Sequence, residues 1–415
     1  MREMKDSGLQ WAGDIPQYWN IAKGKHFMAV LERPVRDDDN VITCFRNGEV
    51  TLRSNRREDG FTVATVEAGY QGIEPGDLVV HGMDGFAGAI GISDSRGKGT
   101  PALNVLSCSE NKKYIMYLLR AMAYTEVFMA LSTGIRVRTC DTNWKKLKSL
   151  DYLIPPADEQ QCIADFLDAK CAEIDALTAD IQTQIDTLEQ YKRSVITETV
   201  TKGLNPDAEM RDSGIQWIGD MPAHWGVIRG KYILRYMQKP VRENDGVITC
   251  FRDGEVTLRS NRREDGFTMS DKEIGYQGID VGDLVVHGMD GFAGAIGISD
   301  SRGKASPVLN VLDTDQCKRY IMYYLRSMAY SDVFLALATG IRVRSCDLRW
   351  NKLAELSYPV PPLDEQNAIV KHIDSVLSKA DAVIADKEAQ LATLDEYKKS
   401  LIFEYVTGKK EVPVS

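Results

Sequence analysis

Apolar positions along this chain fall into two regimes. In two long stretches they recur every three or four residues, as on a helix with one buried seam; elsewhere they form short runs broken by glycine, the mark of strands and turns. The first long stretch follows Pro155-Pro156 and runs to Val200, 44 residues with neither Pro nor Gly. Its seam is Ile163, Leu167, Ile174, Leu177, Ile181, Leu188, Tyr191 and Val195, a pattern that predicts a helix about 66 Å long facing a partner helix. Proline's fixed φ suits the entry, and Gly203 then Pro206 close the far end.

The pattern occurs twice. Pro361-Pro362 opens a second helix running to about Val406, with Ile369, Ile373, Val376, Val383, Leu394, Tyr397 and Leu401 as its seam. The same offset of 206 residues relates Trp11 to Trp217, His81 to His287 and Arg136 to Arg342. The chain is therefore one unit written twice. The expected layout is a module over 1–154, a helix over 155–204, a second module over 205–360, and a helix with a tail over 361–415, the two helices packing on each other.

Each module opens with a Trp-bearing lead, Trp11 to Trp19 and Trp217 to Trp225, of the kind that docks a terminus onto a core. Val41 to Arg53 then reads as two β-prone runs joined by Asn47-Gly48, a hairpin signal, with Asp253-Gly254 in the second copy. Gly76 to Ser93 reads as strand, loop, strand, and Tyr114 to about Ser132 turns helical through Met116, Leu119, Met122 and Val127. The fold class predicted is α+β: two repeated α/β modules, separated and followed by long helices.

Composition changes this picture little, charge more. A 415-residue chain that is 43% hydrophobic and 27% charged has ordinary globular composition. It has no run of 18 apolar residues and no apolar leader after Met1-Arg2-Glu3-Met4-Lys5, so a cytoplasmic protein that does not enter membranes is expected. Its eight cysteines form no CxxC pair; Cys44 and Cys140, repeated as Cys250 and Cys346, are expected to be reduced thiols. The net charge of −9 is segregated: the helices over 157–200 and 363–406 carry −7 and −4, leaving +2 for everything else. Acidic rods joining neutral-to-basic modules suit a polyanion partner that the modules touch and the rods avoid.

Candidate chemistry lies in the loops. Arg53-Ser54-Asn55-Arg56-Arg57 and Arg259-Ser260-Asn261-Arg262-Arg263 are letter-identical, as are His81 to Lys98 and His287 to Lys304, and Gly134 to Arg138 and Gly340 to Arg344. Between 41–62 and 247–268 only Asn47/Asp253 differs, whereas fewer than half of the paired positions along the long helices match. Folding alone rarely demands identical polar loops. Arginine and asparagine make bidentate contacts to guanine and adenine edges, and further arginines hold phosphates. The candidate DNA contacts are thus Arg46, Arg53, Asn55, Arg56, Arg57, His81, Arg96, Lys98, Arg136 and Arg138, with Arg252, Arg259, Asn261, Arg262, Arg263, His287, Arg302, Lys304, Arg342 and Arg344. The other reading of the first loop is a solvated turn whose arginines pair with Glu58 and Asp59.

Signatures of catalysis fail. Phe86-Ala87-Gly88-Ala89-Ile90 has Ile90 where an FxGxG cofactor loop needs glycine, and Pro155-Pro156-Ala157 lacks the aromatic residue of a methyltransferase motif. His81 beside Asp84 has no Ser or Cys nucleophile motif to serve, and no P-loop, HExxH or zinc-ligand cluster occurs. The residues leave two readings: a DNA reader, or a coiled-coil scaffold with repeated protein-binding modules.

Ile154-Pro155-Pro156 followed by Glu159-Gln160, and Val360-Pro361-Pro362 followed by Glu365-Gln366, each preceded by a Gly-x-Arg segment and a Trp-x-x-Leu (Trp144 to Leu147, Trp350 to Leu353), resemble the DNA-specificity subunit of type I restriction-modification systems. The resemblance spans the whole chain. It implies two target recognition domains, an antiparallel helix pair with pseudo-twofold symmetry setting their spacing, and a split site in double-stranded DNA. It also implies a non-catalytic subunit that docks two methyltransferase subunits and, through them, restriction subunits, with S-adenosylmethionine, ATP and Mg on those partners alone. One departure stands out: the family usually carries unlike recognition domains, and these are nearly the same.

Overall fold

The computed structural model describes residues 2–56, 68–130, 142–262, 274–336 and 348–413. Two compact units emerge, and they do not follow chain order: Met1–Ile181 joins Ala389–Ser415, and Gln182–Glu388 forms the second. Each unit thus holds one module, half of one long helix and half of the other.

The long helices run Ala157–Lys202 and Leu363–Val406. Pro156 and Pro362 supply the carbonyls that accept the first helical N–H, from Gln160 and Gln366, each at 2.9 Å. Asp158, Glu159, Asp364 and Glu365 lie in the first turns, where a helix N-terminus favours negative charge. Gly203 (φ +73°) and Gly408 (φ +69°) end the helical stretches in the left-handed conformation glycine tolerates.

Within each unit the two helix segments run antiparallel. In the first, Lys398 holds Asp175 at 2.5 Å; in the second, Lys192 holds Asp381 at 2.6 Å and Lys387 donates to Gln184 at 2.5 Å. The buried seam differs in part from the one the sequence predicts. Ile163, Leu167, Ile174 and Ile181 are buried, but Leu177 and Tyr191 stand 47% and 51% exposed, and so do Val383 and Tyr397 at 45% and 54%. Ile185, Ile196, Ile384 and Ile402 are buried instead. A straight helix drifts about 20° per heptad from a strict 3.5-residue repeat, so one face cannot stay buried over the whole length.

In the first module a four-stranded antiparallel sheet has the order Met28–Val30, Leu103–Cys108, Leu78–His81, Ile90–Ile92. Its inner strand Leu78–His81 opens with three apolar residues, Leu78, Val79 and Val80, because it is covered on both faces, with successive side chains pointing opposite ways. Leu78 and Val80 enter the main core with the helix Lys112–Tyr124, Trp19, and the long-helix residues Ile163, Leu167, Leu401 and Val406. Val79 faces a smaller core of Ile42, Cys44, Val50, Ile73, Ala89, Leu103 and Val105. The second module repeats this division, Leu284 and Val286 on one side and Val285 on the other. The helical pattern predicted from Tyr114 to Ser132 breaks at Glu126 (φ +61°), and a short helix, Val127–Ala130, follows.

The predicted hairpin pairs Ile42–Cys44 with Val50–Leu52. Asn47-Gly48 does not form a two-residue turn. Phe45 N–H donates to the Glu49 carbonyl and Gly48 N–H to the Phe45 carbonyl, both at 2.8 Å, and Gly48 takes φ +86°. This three-residue loop ends in a left-handed glycine, the other common way to close a hairpin.

Candidate nucleic-acid interface

The Glu-Gln that follows each proline pair fastens module to helix. Gln160, 1% exposed, donates Nε2 to the Pro155 carbonyl at 2.9 Å and to Glu110 at 2.6 Å, while its Oε1 accepts from Asn111 N–H at 3.0 Å. Glu159 accepts from Trp19 Nε1 at 3.0 Å and from Arg2 at 2.6 Å. The second unit does the same with Gln366 on Pro361, Gln316 and Cys317, and with Glu365 on Trp225 and His224. The buried hydroxyl of Tyr114 donates to Leu153 O at 3.0 Å and reaches Val406 O, at the end of the other long helix, at 3.3 Å. Tyr320 reaches Pro359 O and Val200 O in the same way. Each module is therefore keyed to the start of one long helix and the end of the other.

On this frame three segments converge at one edge of the module. Arg120, from the helix Lys112–Tyr124, donates Nε to Ile90 O at 2.8 Å and Nη2 to Gly48 O at 3.0 Å, tying the hairpin turn to the sheet. Gly91 lets the two approach, since a Cβ there would sit 1.9 Å from Gly48 O. Arg46, on the turn, donates to Asp84 of the His81 loop at 2.8 Å; Arg252 and Asp290 repeat this. Arg56 folds over the Phe45 ring at 4.4 Å and donates to Glu49 at 3.0 Å and Asn47 Oδ1 at 3.2 Å. The turn so built is polar and outward-facing, with Arg46, Asn47, Glu49 and Arg56 exposed.

The other candidates divide. Arg53 donates Nε to Thr43 Oγ1 at 3.0 Å and Asn55 donates Nδ2 to Thr51 Oγ1 at 2.9 Å; Arg259 and Asn261 make the same bonds to Thr249 and Thr257. These side chains brace the hairpin from which they project. His81 accepts from Met83 and Asp84 N–H at 3.2 and 3.0 Å through Nδ1, and His287 does so from Met289 and Asp290. Burial pushes both imidazoles below their ordinary range, against the pull of Asp84 and Asp290. A neutral ring that accepts at Nδ1 fixes its loop and leaves Met83 exposed at the tip.

Arg96 is held by a different set of acids. It donates to Asp39 at 2.7 and 2.8 Å and pairs with Glu74, and Arg302 likewise holds Asp245 and Asp280. Lys98 and Lys304 sit on the adjacent edge strands Gly97–Gly99 and Gly303–Ala305, beside the base of each hairpin. Arg57, Arg136, Arg138, Arg263, Arg342 and Arg344, and the acids Glu58 and Asp59, lie outside the described residues, as do Cys140 and Cys346. Cys44 is buried and its thiol is pushed up to about 12 by that burial. Among the described residues no three His, Cys, Asp or Glu side chains gather as a metal site, and no helix is long and apolar enough to cross a membrane.

Sequence reading missed Arg120 and Arg326, which looked like ordinary polar-face residues of an amphipathic helix. The only signal available was their recurrence at the repeat offset.

The fold is similar to that of a solved chain from work entitled "Structural basis underlying complex assembly and conformational transition of the type I R-M system": TM-score 0.67 at 12% identity, over 95% of this chain and 99% of that one. No family model matches. Among curated proteins the chain is similar, at 24% identity over 96% of its length and 95% of the relative's, to a Methanocaldococcus jannaschii protein assigned as the specificity subunit of the type I restriction enzyme MjaX. It is similar at 19% identity, over 96% of its length and 90% of the relative's, to the type I restriction enzyme StySPI specificity subunit of Salmonella potsdam.

Proposed function

We propose that this chain is the DNA-reading specificity subunit of a type I restriction-modification complex and performs no catalysis itself. The observation that carries the reading is the end-to-end likeness to curated specificity subunits, joined to an exposed arginine-bearing turn that recurs nearly letter for letter in two modules. The turns around Arg46 and Arg56, and around Arg252 and Arg262, touch double-stranded DNA, while the acidic helices stay off it. Two copies of one reader, carried by helices that run antiparallel, call for an interrupted inverted repeat: the same few bases on each side of a gap, one methylated adenine per half.

The partners are two methyltransferase subunits, with restriction subunits joining through them; S-adenosylmethionine, ATP and Mg belong to those partners. Two equivalent landing places support a pair of methyltransferases. Leu177 and Tyr397 lie within a helical turn of the Asp175–Lys398 ion pair in the first unit, and Tyr191 and Val383 lie equally near Lys192–Asp381 in the second. Leu177 corresponds to Val383, and Tyr191 to Tyr397, at the 206-residue offset.

Methylation-aware sequencing of the host genome, with binding of purified protein to the motif it finds at varied salt, tests the reading. A symmetric split motif and a steep loss of affinity with salt are expected. Two unrelated half-sites would refute the inverted repeat, and the absence of any specific shift would leave a protein-binding scaffold.

A further inference from the structure

The two turns are built from the same letters except at one position, and the structure places that position against the arginine. In the first module Arg56 faces one carboxylate among the described residues: Glu49 at 3.0 Å, with the neutral amide of Asn47 at 3.2 Å. In the second, Arg262 is gripped by two, Asp253 and, at 3.3 Å, Glu255. Among the described residues the setting of the pair is otherwise closely alike. The rings of Phe45 and Phe251 lie 4.4 and 4.3 Å beneath the guanidiniums, Arg46 and Arg252 each bind the aspartate of the next loop at 2.8 Å, and the strands pair in the same register.

Resting on the DNA-reading role above, we propose that Asp253 makes the second module the weaker of the two DNA contacts. Asp253 is 50% exposed and Arg262 38%, so their pairing in water contributes little to folding. Its consequence falls on binding. A guanidinium that turns toward a phosphate must leave two carboxylates in the second module but one in the first. The abandoned Asp253 then stands as an extra negative charge beside a polyanion, where like charges repel. The half-sites share their letters but not their occupancy: the first module holds DNA while the second engages and releases.

The test uses the full chain and a duplex carrying two inverted copies of the genomic half-site, with affinity measured at several salt concentrations. Asp253→Asn should tighten binding roughly three- to tenfold, and Asn47→Asp should loosen it by a similar factor. The double exchange should return to within about twofold of the starting affinity, which also controls for the stretches 63–68 and 269–274, alike only at Glu67 and Glu273. Arg56→Ala should cost several times more affinity than Arg262→Ala. Thermal unfolding should be unchanged in the two single exchanges. Equal losses from the two arginine variants, or exchanges that leave affinity unmoved in a chain that does bind the duplex, would overturn the asymmetry alone. A wild-type chain with no salt-dependent binding would overturn the DNA-reading role itself.

Discussion

The guanidinium of Arg120 fills the space that a Cβ on Gly48 would occupy: a methyl group built there lies 1.9 Å from Nη2, and at Gly254 it lies 1.6 Å from Arg326. Glycine is required twice over, because φ of +86° also lies in the left-handed region. Gly48→Ala should therefore cost about 1–3 kcal/mol through strain and displacement of the turn, visible as a lower urea midpoint. It should also weaken DNA binding, since Arg46 and Arg56 ride on the turn. Arg120→Lys, which keeps the charge but cannot bridge Ile90 and Gly48, should reproduce the binding loss with less effect on stability. Unchanged binding in both variants would mean that the turn is not held for contact.

Gln160 and Gln366 predict a paired result. Each is a buried amide bonded on both sides, so replacement by leucine strips partners from Glu110 and Asn111, or from Gln316 and Cys317. Leaving such groups unmet costs about 1–3 kcal/mol each. Hydrogen exchange should accelerate at the start of the helix Lys112–Tyr124 in Gln160→Leu and of Lys318–Tyr330 in Gln366→Leu. If protection in both helices is unaffected, the glutamines do not fasten module to helix.

These glutamines mark the limit of what the letters disclose. The strands around Leu78–His81, the hairpin after Val41, both long helices and their duplication follow from local periodicity and turn residues. Gln160 and Glu159 read only as a helix entry, because their partners lie 50 and 140 residues away. The ion partners of Arg96 were hidden for the same reason, with Asp39 lying 57 positions from it and Glu74 22. Leu177 and Tyr191 fit a 3-and-4 alternation as well as Ile174 and Ile181 do; which of them is covered depends on helix drift and on where a module lands. The candidate edge was legible as repeated letters, but its division into Arg46 and Arg56 on the turn and Arg53 and Asn55 bonded back to the hairpin threonines required the fold.

Acid should weaken the fold through Asp39 and Asp280. Hydrogen bonding from Arg96 holds Asp39 at about 2 against the opposing effect of burial, and Arg302, then Lys239, hold Asp280 at about 2. A carboxylate whose folded pKa lies below its unfolded value of about 3.9 binds protons more readily when unfolded. Its stabilisation is complete above that unfolded value and is lost as pH falls from about 4 toward 2. Urea midpoints measured from pH 5 to pH 2 should decline across that window, and Asp39→Asn should flatten part of the decline while lowering the plateau. A slope identical to wild type would show that the Asp39 pair contributes nothing.

Arg96 and Arg46 should separate folding from contact. Asp39 is 2% exposed at its side chain and depends on Arg96, so Arg96→Ala leaves a buried carboxylate without its cation, a loss on the order of 3 kcal/mol. Arg46 is 65% exposed and its bond to Asp84 lies in water, where such pairs are worth about 1 kcal/mol or less. Arg46→Ala should thus unfold near the wild-type temperature yet bind DNA less tightly, with a salt slope shallower by about one if the lost partner is a phosphate. Arg96→Ala should melt early but bind normally at temperatures where it remains folded. The reverse outcome, a stable Arg96→Ala that fails to bind and an Arg46→Ala that binds fully, would move the DNA-contacting surface from the hairpin turn to the segment that carries Arg96, at the base of the hairpin.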